Sequence, residues 1–104
     1  MVIVLTTMPD DHRAEELARL LVDERLAACV NVHAPMQSTY RWKGGIESDP
    51  ERQLVIKTCQ ERVAALEARV RALHPYELPE FIVLGAEASA AYAAWVSGET
   101  SAIQ

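Results

Sequence analysis

His74-Pro75-Tyr76-Glu77-Leu78-Pro79-Glu80 carries two prolines four residues apart, with an aromatic ring and two carboxylates packed around them. Each proline fixes its own φ and pushes the residue before it out of the helical region. His74 and Leu78 are thereby biased to extended backbone, and a helix arriving from the N-terminal side must stop here. The next four residues, Phe81-Ile82-Val83-Leu84, are a short apolar run of β type. The heptapeptide therefore reads as a rigid splice between a helix and a buried strand. Its imidazole, phenol and two carboxylates are also the densest set of functional groups in the chain. A stiff structural connection and a ligand or metal site are both open readings at this point.

Working back from the splice, Val63, Leu66, Val70 and Leu73 recur at three- and four-residue intervals and predict the buried face of a helix. Thr58-x-x-Glu61 has the pattern of a capping box at its start. Working forward, Gly85 breaks the strand, and Ala88 to Val96 reads as a short alanine-rich helix presenting Tyr92 and Trp95. Gly98 is expected to end it, leaving Glu99 to Gln104 frayed.

The first half has the same grammar. Val2-Ile3-Val4-Leu5-Thr6-Thr7 suits a central strand. Met8-Pro9-Asp10-Asp11 ends it, with Asp10 or Asp11 placed to cap a helix that runs to about Arg25 and buries Ala14, Leu17, Ala18 and Leu21. A long extended region follows from Cys29 to Lys43, bent or bulged at Pro35. Lys43-Gly44-Gly45 signals a hairpin, and the return strand is expected from near Ile46. The polar patch Glu47-Ser48-Asp49-Pro50-Glu51 is expected to break or bulge that return strand before Gln53 to Lys57. In perfect register about Gly44 and Gly45, Cys29 and Cys59 would fall nearly opposite each other, although Pro35 makes that register unsafe.

Strand, helix, strand, hairpin, strand, helix, strand is a βαββαβ order. It predicts a ferredoxin-like α+β fold, an antiparallel sheet with both helices on one face, with a long β-hairpin and a short C-terminal helix appended. The other sheet face is left bare, and a second subunit is the simplest cover for it and for Tyr40 and Trp42 on the hairpin.

Composition narrows the function. At 104 residues the chain, 1–104, reads as one domain, and half its residues are apolar. A net charge of −5 argues against nucleic acid or an anionic membrane as partner. No apolar run is long enough to span a bilayer and no leader is legible, so a cytoplasmic location is expected. No nucleophile sits in a Gly-x-Ser-x-Gly turn, and the loop after the first strand, Thr-Thr-Met-Pro-Asp-Asp, is acidic and lacks glycine, which speaks against catalysis and phosphate cradling. Metal binding remains. His12, His33 and His74 are scattered, with His74 beside Tyr76, Glu77 and Glu80. An imidazole before a proline serves more often as a structural hydrogen-bonder than as a ligand.

Ala27-Ala28-Cys29-Val30-Asn31-Val32, Ser38-x-Tyr40-x-Trp42-x-Gly44-x-Ile46, Ile56-Lys57-Thr58, the His-Pro-Tyr block itself and Tyr92-x-x-Trp95 together resemble the CutA family of divalent-cation tolerance proteins over nearly the whole chain. The resemblance implies a cytoplasmic homotrimer related in architecture to PII signalling proteins, associated with tolerance to copper and other divalent ions, without enzymatic activity or a required cofactor. On this reading a weak site for Cu(II) or another divalent cation is expected at His74, completed by carboxylates such as Glu77 or by a neighbouring chain, and Tyr40, Trp42, Tyr76, Glu80 and Trp95 are expected as cleft or interface residues. In some family members copper is assigned to a cysteine in the first strand and two adjacent histidines; the matching positions here are Thr6, Leu73 and His74. The alternative reading is a PII-like trimeric sensor or adaptor binding a small ligand in clefts between subunits, with Arg41 and Lys43 as its one basic pair.

Overall fold

The β-branched N-terminal run becomes the strand from which the sheet is laid out. In a computed structural model, which describes residues 1–101, β1 (Val2–Pro9) lies between β4 (Gly45–Thr58) and β5 (Ile82–Gly85), and β2 (Cys29–Val32) closes the order β2-β4-β1-β5. β3 (Met36–Trp42) pairs with the far half of β4, and every pairing is antiparallel. Helices α1 (Arg13–Asp23) and α2 (Val63–Leu73) connect these strands, and α3 (Ala90–Glu99) follows them. This is the ferredoxin-like arrangement, with β2 and β3 as one bent strand.

Directly opposed residues of an antiparallel pair share a face. Val4 faces Ile56 and Val83, Thr6 faces Leu54, and these positions look toward the helices. Val2, Val4, Met8, Leu54 and Ile56 there pack with Ala14, Leu17 and Leu21 of α1 and Leu66 and Val70 of α2 into one core. The opposite face carries Ile3, Leu5, Val55, Ile82 and Leu84 by the same register. Ile82 is 44% and Leu84 46% exposed there. The sequence predicts a buried β5; as the edge strand of the sheet it is exposed throughout, Val83 at 40% even on the helix side, and among the described residues no layer covers Ile82 and Leu84.

The long hairpin turns at Lys43 and Gly44, whose φ values of 49° and 83° are those of a type I′ turn, and the return strand starts at Gly45 opposite Trp42. Val32 faces Leu54 and Met36 faces Glu51, so His33, Ala34 and Pro35 stand across from only Gln53 and Arg52. That one-residue bulge absorbs the bend at Pro35. The break expected at Glu47 to Glu51 does not occur, and β4 runs unbroken through Pro50. Beyond Glu51 only β3 lies beside β4, and an edge segment tolerates a proline. With the turn at Lys43 and Gly44 and the one-residue shift of the bulge, Cys29 faces Lys57 rather than Cys59, and both thiols are free.

Several helix ends differ from expectation. Asp11 accepts the Arg13 backbone N–H at 2.9 Å, although the residue flanking α1 is His12. α1 stops at Asp23, and Arg25, with φ 59°, closes it through Leu26 N–H to the Leu21 carbonyl at 3.0 Å. Thr58 makes no capping box. It is still in β4, and its buried Oγ1 donates to the Leu26 carbonyl at 2.8 Å. Leu73 is 42% exposed, because the buried stripe of α2 runs Leu66, Val70 and then His74, at four-residue steps. α3 begins later than expected, capped by Ser89 Oγ on Tyr92 N–H, and continues through Gly98. The fraying expected of Glu99 to Gln104 lies for 102–104 outside the described residues.

Candidate functional site: the His-Pro-Tyr turn

Because Pro75 forces His74 off the helix, its φ and ψ are −75° and 136° while its N–H still closes α2 on the Val70 carbonyl at 2.8 Å. The ring thus drops inward beside the end of β1 and is only 9% exposed. Nε2 lies 2.7 Å from the Thr7 carbonyl, and Nδ1 lies 3.1 Å from the Tyr76 backbone N–H. A carbonyl can only accept and an N–H can only donate, so the ring carries its proton on Nε2 and presents a lone pair on Nδ1. Burial lowers the pKa of this imidazole, the more so for Arg13 nearby, against the raising pull of the Thr7 carbonyl and Glu51.

The turn then passes to the polar end of the open sheet face. The Tyr76 ring packs against His74 with centroids 4.7 Å apart, and its hydroxyl lies toward the Glu51 carboxylate. Burial first, and then that carboxylate, raise the Tyr76 pKa. Glu80 accepts from Gln53 Nε2 at 2.9 Å, while the same amide reaches the Thr6 carbonyl at 2.7 Å. Along the hairpin the Tyr40 hydroxyl donates to Asp49, which pushes the phenol up to about 12. At the neighbouring loop the Arg13 guanidinium, hydrogen-bonded to Asp11, holds that carboxyl down at about 2.

The residues singled out in the sequence are thus divided. His74, Tyr76, Glu80 and Tyr40 are drawn into one polar region through Glu51, Gln53 and Asp49. Glu77 stands outside in solvent, its carboxylate 3.6 Å from Lys43 Nζ, which lies over the Trp42 ring at 5.7 Å. Trp95 is elsewhere, stacked at 5.6 Å on Tyr92 beside a cleft lined by Val22, Arg25 and Ala28. Glu51, Gln53 and Asp49 were missed as site residues. Their alternation at every second position of β4 is legible in the sequence, but Asp49 and Glu51 read as part of a break and Gln53 as the start of a separate strand, so the three do not read as one face.

Among the described residues no three His, Cys, Asp or Glu side chains converge on a point suited to a metal ion. Thr6, at the position of the family cysteine, is a fully buried hydroxyl with no hydrogen-bond partner, and it faces Leu54. Leu73 has no donor atom. These residues do not fit the copper site described for the family.

Residues 2–99 match the family model for the CutA1 divalent ion tolerance protein. The Divalent-cation tolerance protein CutA of Thermus thermophilus is 42% identical over 99 residues, covering 94% of this chain and 96% of that protein. Protein CutA of Homo sapiens is 44% identical over 98 residues, and there the chain, 93% of it matched, spans only 55% of the relative's length. Among solved structures, the Thermus thermophilus protein superposes with a TM-score of 0.92 at 42% identity, covering 97% of this chain and 100% of that one. A PII-like protein CutA from Nostoc sp., in apo form, does so with a TM-score of 0.91 at 42% identity, covering 97% and 98%. With this fold, this His-Pro-Tyr turn and a match across nearly all its length, the chain belongs to the CutA family of divalent-ion tolerance proteins.

Proposed function

We propose that this chain works in the cytoplasm as a non-catalytic homotrimer that supports tolerance to divalent metal ions. The observation that carries this is the open sheet face, where Ile82 and Leu84 stand 44% and 46% exposed beside Ile3, Leu5 and Val55. A row of branched apolar side chains on a sheet face is strongly stabilised by a covering layer, and the chain has spent both its sheet-packing helices on the other side. A second and third copy supply that layer, and in doing so bring the polar ends with Tyr40, Trp42, Tyr76 and Glu80 to the boundaries between subunits. Among the described residues no helix is long and apolar enough to cross a membrane. Direct contact with the ion is weak in this reading and belongs to exposed groups, Glu77 foremost.

A second reading, a PII-like sensor with a small ligand between subunits, is favoured by the Nostoc relative's description. An anionic ligand suits it less, because Lys43 is already engaged by Glu77 and Trp42. Native mass spectrometry with and without Cu(II) tests the proposal. A trimer that takes up copper supports it; a monomer overturns the assembly, and a trimer without uptake turns the reading to the ligand sensor.

A further inference from the structure

We propose that His74 is a positioning residue closed to metal ions, and that the family's histidine in this turn has here become the clasp that holds the polar end of the sheet together. This deepens the reading above by removing one group from the ion's reach.

The argument is one of valence. A neutral imidazole offers a metal one lone pair, on the nitrogen without the proton. In His74 that nitrogen is Nδ1, and its lone pair is turned to the Tyr76 backbone N–H at 3.1 Å. Nε2 could serve only after losing its proton, and that proton is held on the Thr7 carbonyl at 2.7 Å. A metal at either nitrogen must break a hydrogen bond of a side chain that is only 9% exposed, and would leave the Thr7 carbonyl or the Tyr76 N–H without that partner.

The neighbours offer nothing in exchange. Copper and zinc are held by several donors at once. The residue before His74 is Leu73, and Thr6 supplies a buried hydroxyl that faces Leu54. Glu51, the nearby carboxylate, is 8% exposed and lies against the Tyr76 hydroxyl, whose pKa it raises. The two bonds of His74 do have a use: they fix Tyr76 against the end of β1 and so aim its hydroxyl at Glu51 on β4. By contrast, His12 and His33 are exposed, and His12 Nε2 lies 3.8 Å from the Glu16 carboxylate one helical turn on.

Histidine-selective nitrogen-15 labelling and NMR of the unmodified protein, titrated with Zn(II) as a diamagnetic divalent ion, tests this without a variant that could misfold. The expected spectrum shows His74 as the Nε2–H tautomer, with both ring nitrogens unmoved by zinc while those of His12 or His33 shift. A His74 ring nitrogen that moves with zinc, or an Nδ1–H tautomer before zinc is added, overturns the proposal. If no imidazole moves at all, His74 is still closed to the metal, and ion contact falls wholly to exposed carboxylates such as Glu77. A His74→Gln variant gives the second readout: bound zinc per chain unchanged, with the Tyr76 ring signals displaced. Loss of the bound zinc in that variant counts against the clasp.

Discussion

The His74 ring Nε2 donates to the Thr7 carbonyl at 2.7 Å, joining residues 67 apart in the chain. It ties the end of α2 to the end of the central strand, so the strength of that tie should follow the charge on one imidazole. Burial is the largest influence on it and lowers its pKa below the ordinary 6.5. The unfolded chain therefore binds a proton at a higher pH than the folded one does. Stability from this group is complete above about pH 6.5 and declines as pH falls below that value toward the lower folded pKa. Thermal unfolding between pH 8 and pH 5 should show that decline, and His74→Gln should flatten it. An equally steep profile in the variant would assign the decline to other groups.

Two buried threonines on the helix-facing side should respond oppositely to the same change. Thr58 Oγ1 donates to the Leu26 carbonyl, whereas Thr6 Oγ1 has no partner. Thr58→Val leaves a buried carbonyl short of a donor and should cost about 1–3 kcal/mol. Thr6→Val removes a hydroxyl that was buried without compensation, and should be neutral or raise stability by about 1 kcal/mol. Urea denaturation of the two variants decides it; a Thr6→Val loss comparable to that of Thr58→Val would contradict the account.

Leu84→Glu places a charge on the open face without touching the core, since Leu84 is 46% exposed in the single subunit. Sedimentation velocity should show the proposed trimer reduced to monomer while far-ultraviolet dichroism keeps its shape. A trimer of unchanged stability would mean that this face is not the subunit contact.

Trp42 is half-buried opposite Gly45 at the hairpin tip, with Lys43 Nζ over its ring at 5.7 Å. If it is sheltered between subunits, Trp42→Ala should lower the dissociation temperature of the trimer and blue-shifted tryptophan emission should be lost. Equal stability would place Trp42 away from the subunit boundary.

Lys43 sits at φ 49°, where a side-chain-bearing residue is strained by roughly 1 kcal/mol and asparagine is better tolerated. Lys43→Asn should therefore raise the unfolding midpoint slightly. A fall would show that the Lys43 contacts with Glu77 and Trp42 outweigh the turn.

What the sequence by itself determined is local. Consecutive β-branched residues made Val2 to Thr7 a central strand, three- and four-residue spacing set α1 and α2, glycine after Lys43 made the hairpin, and two prolines placed the end of α2 at His74. Each follows from propensities acting within a few residues. The tertiary structure alone decided what lies opposite what. The turn at Lys43 and Gly44 set the hairpin register, and the bulge at His33 to Pro35 shifted it by one residue more, so Cys29 lies opposite Lys57 and not Cys59. Thr58 was drawn from a helix cap to the Leu26 carbonyl, since a buried acceptor needs a donor more than an exposed helix end does. His74 took the buried place expected of Leu73 and spent both its nitrogens on the backbone, and Tyr76 found Glu51 across the sheet. Such pairings join residues far apart in the chain, and their energies exist only once the strands are laid side by side.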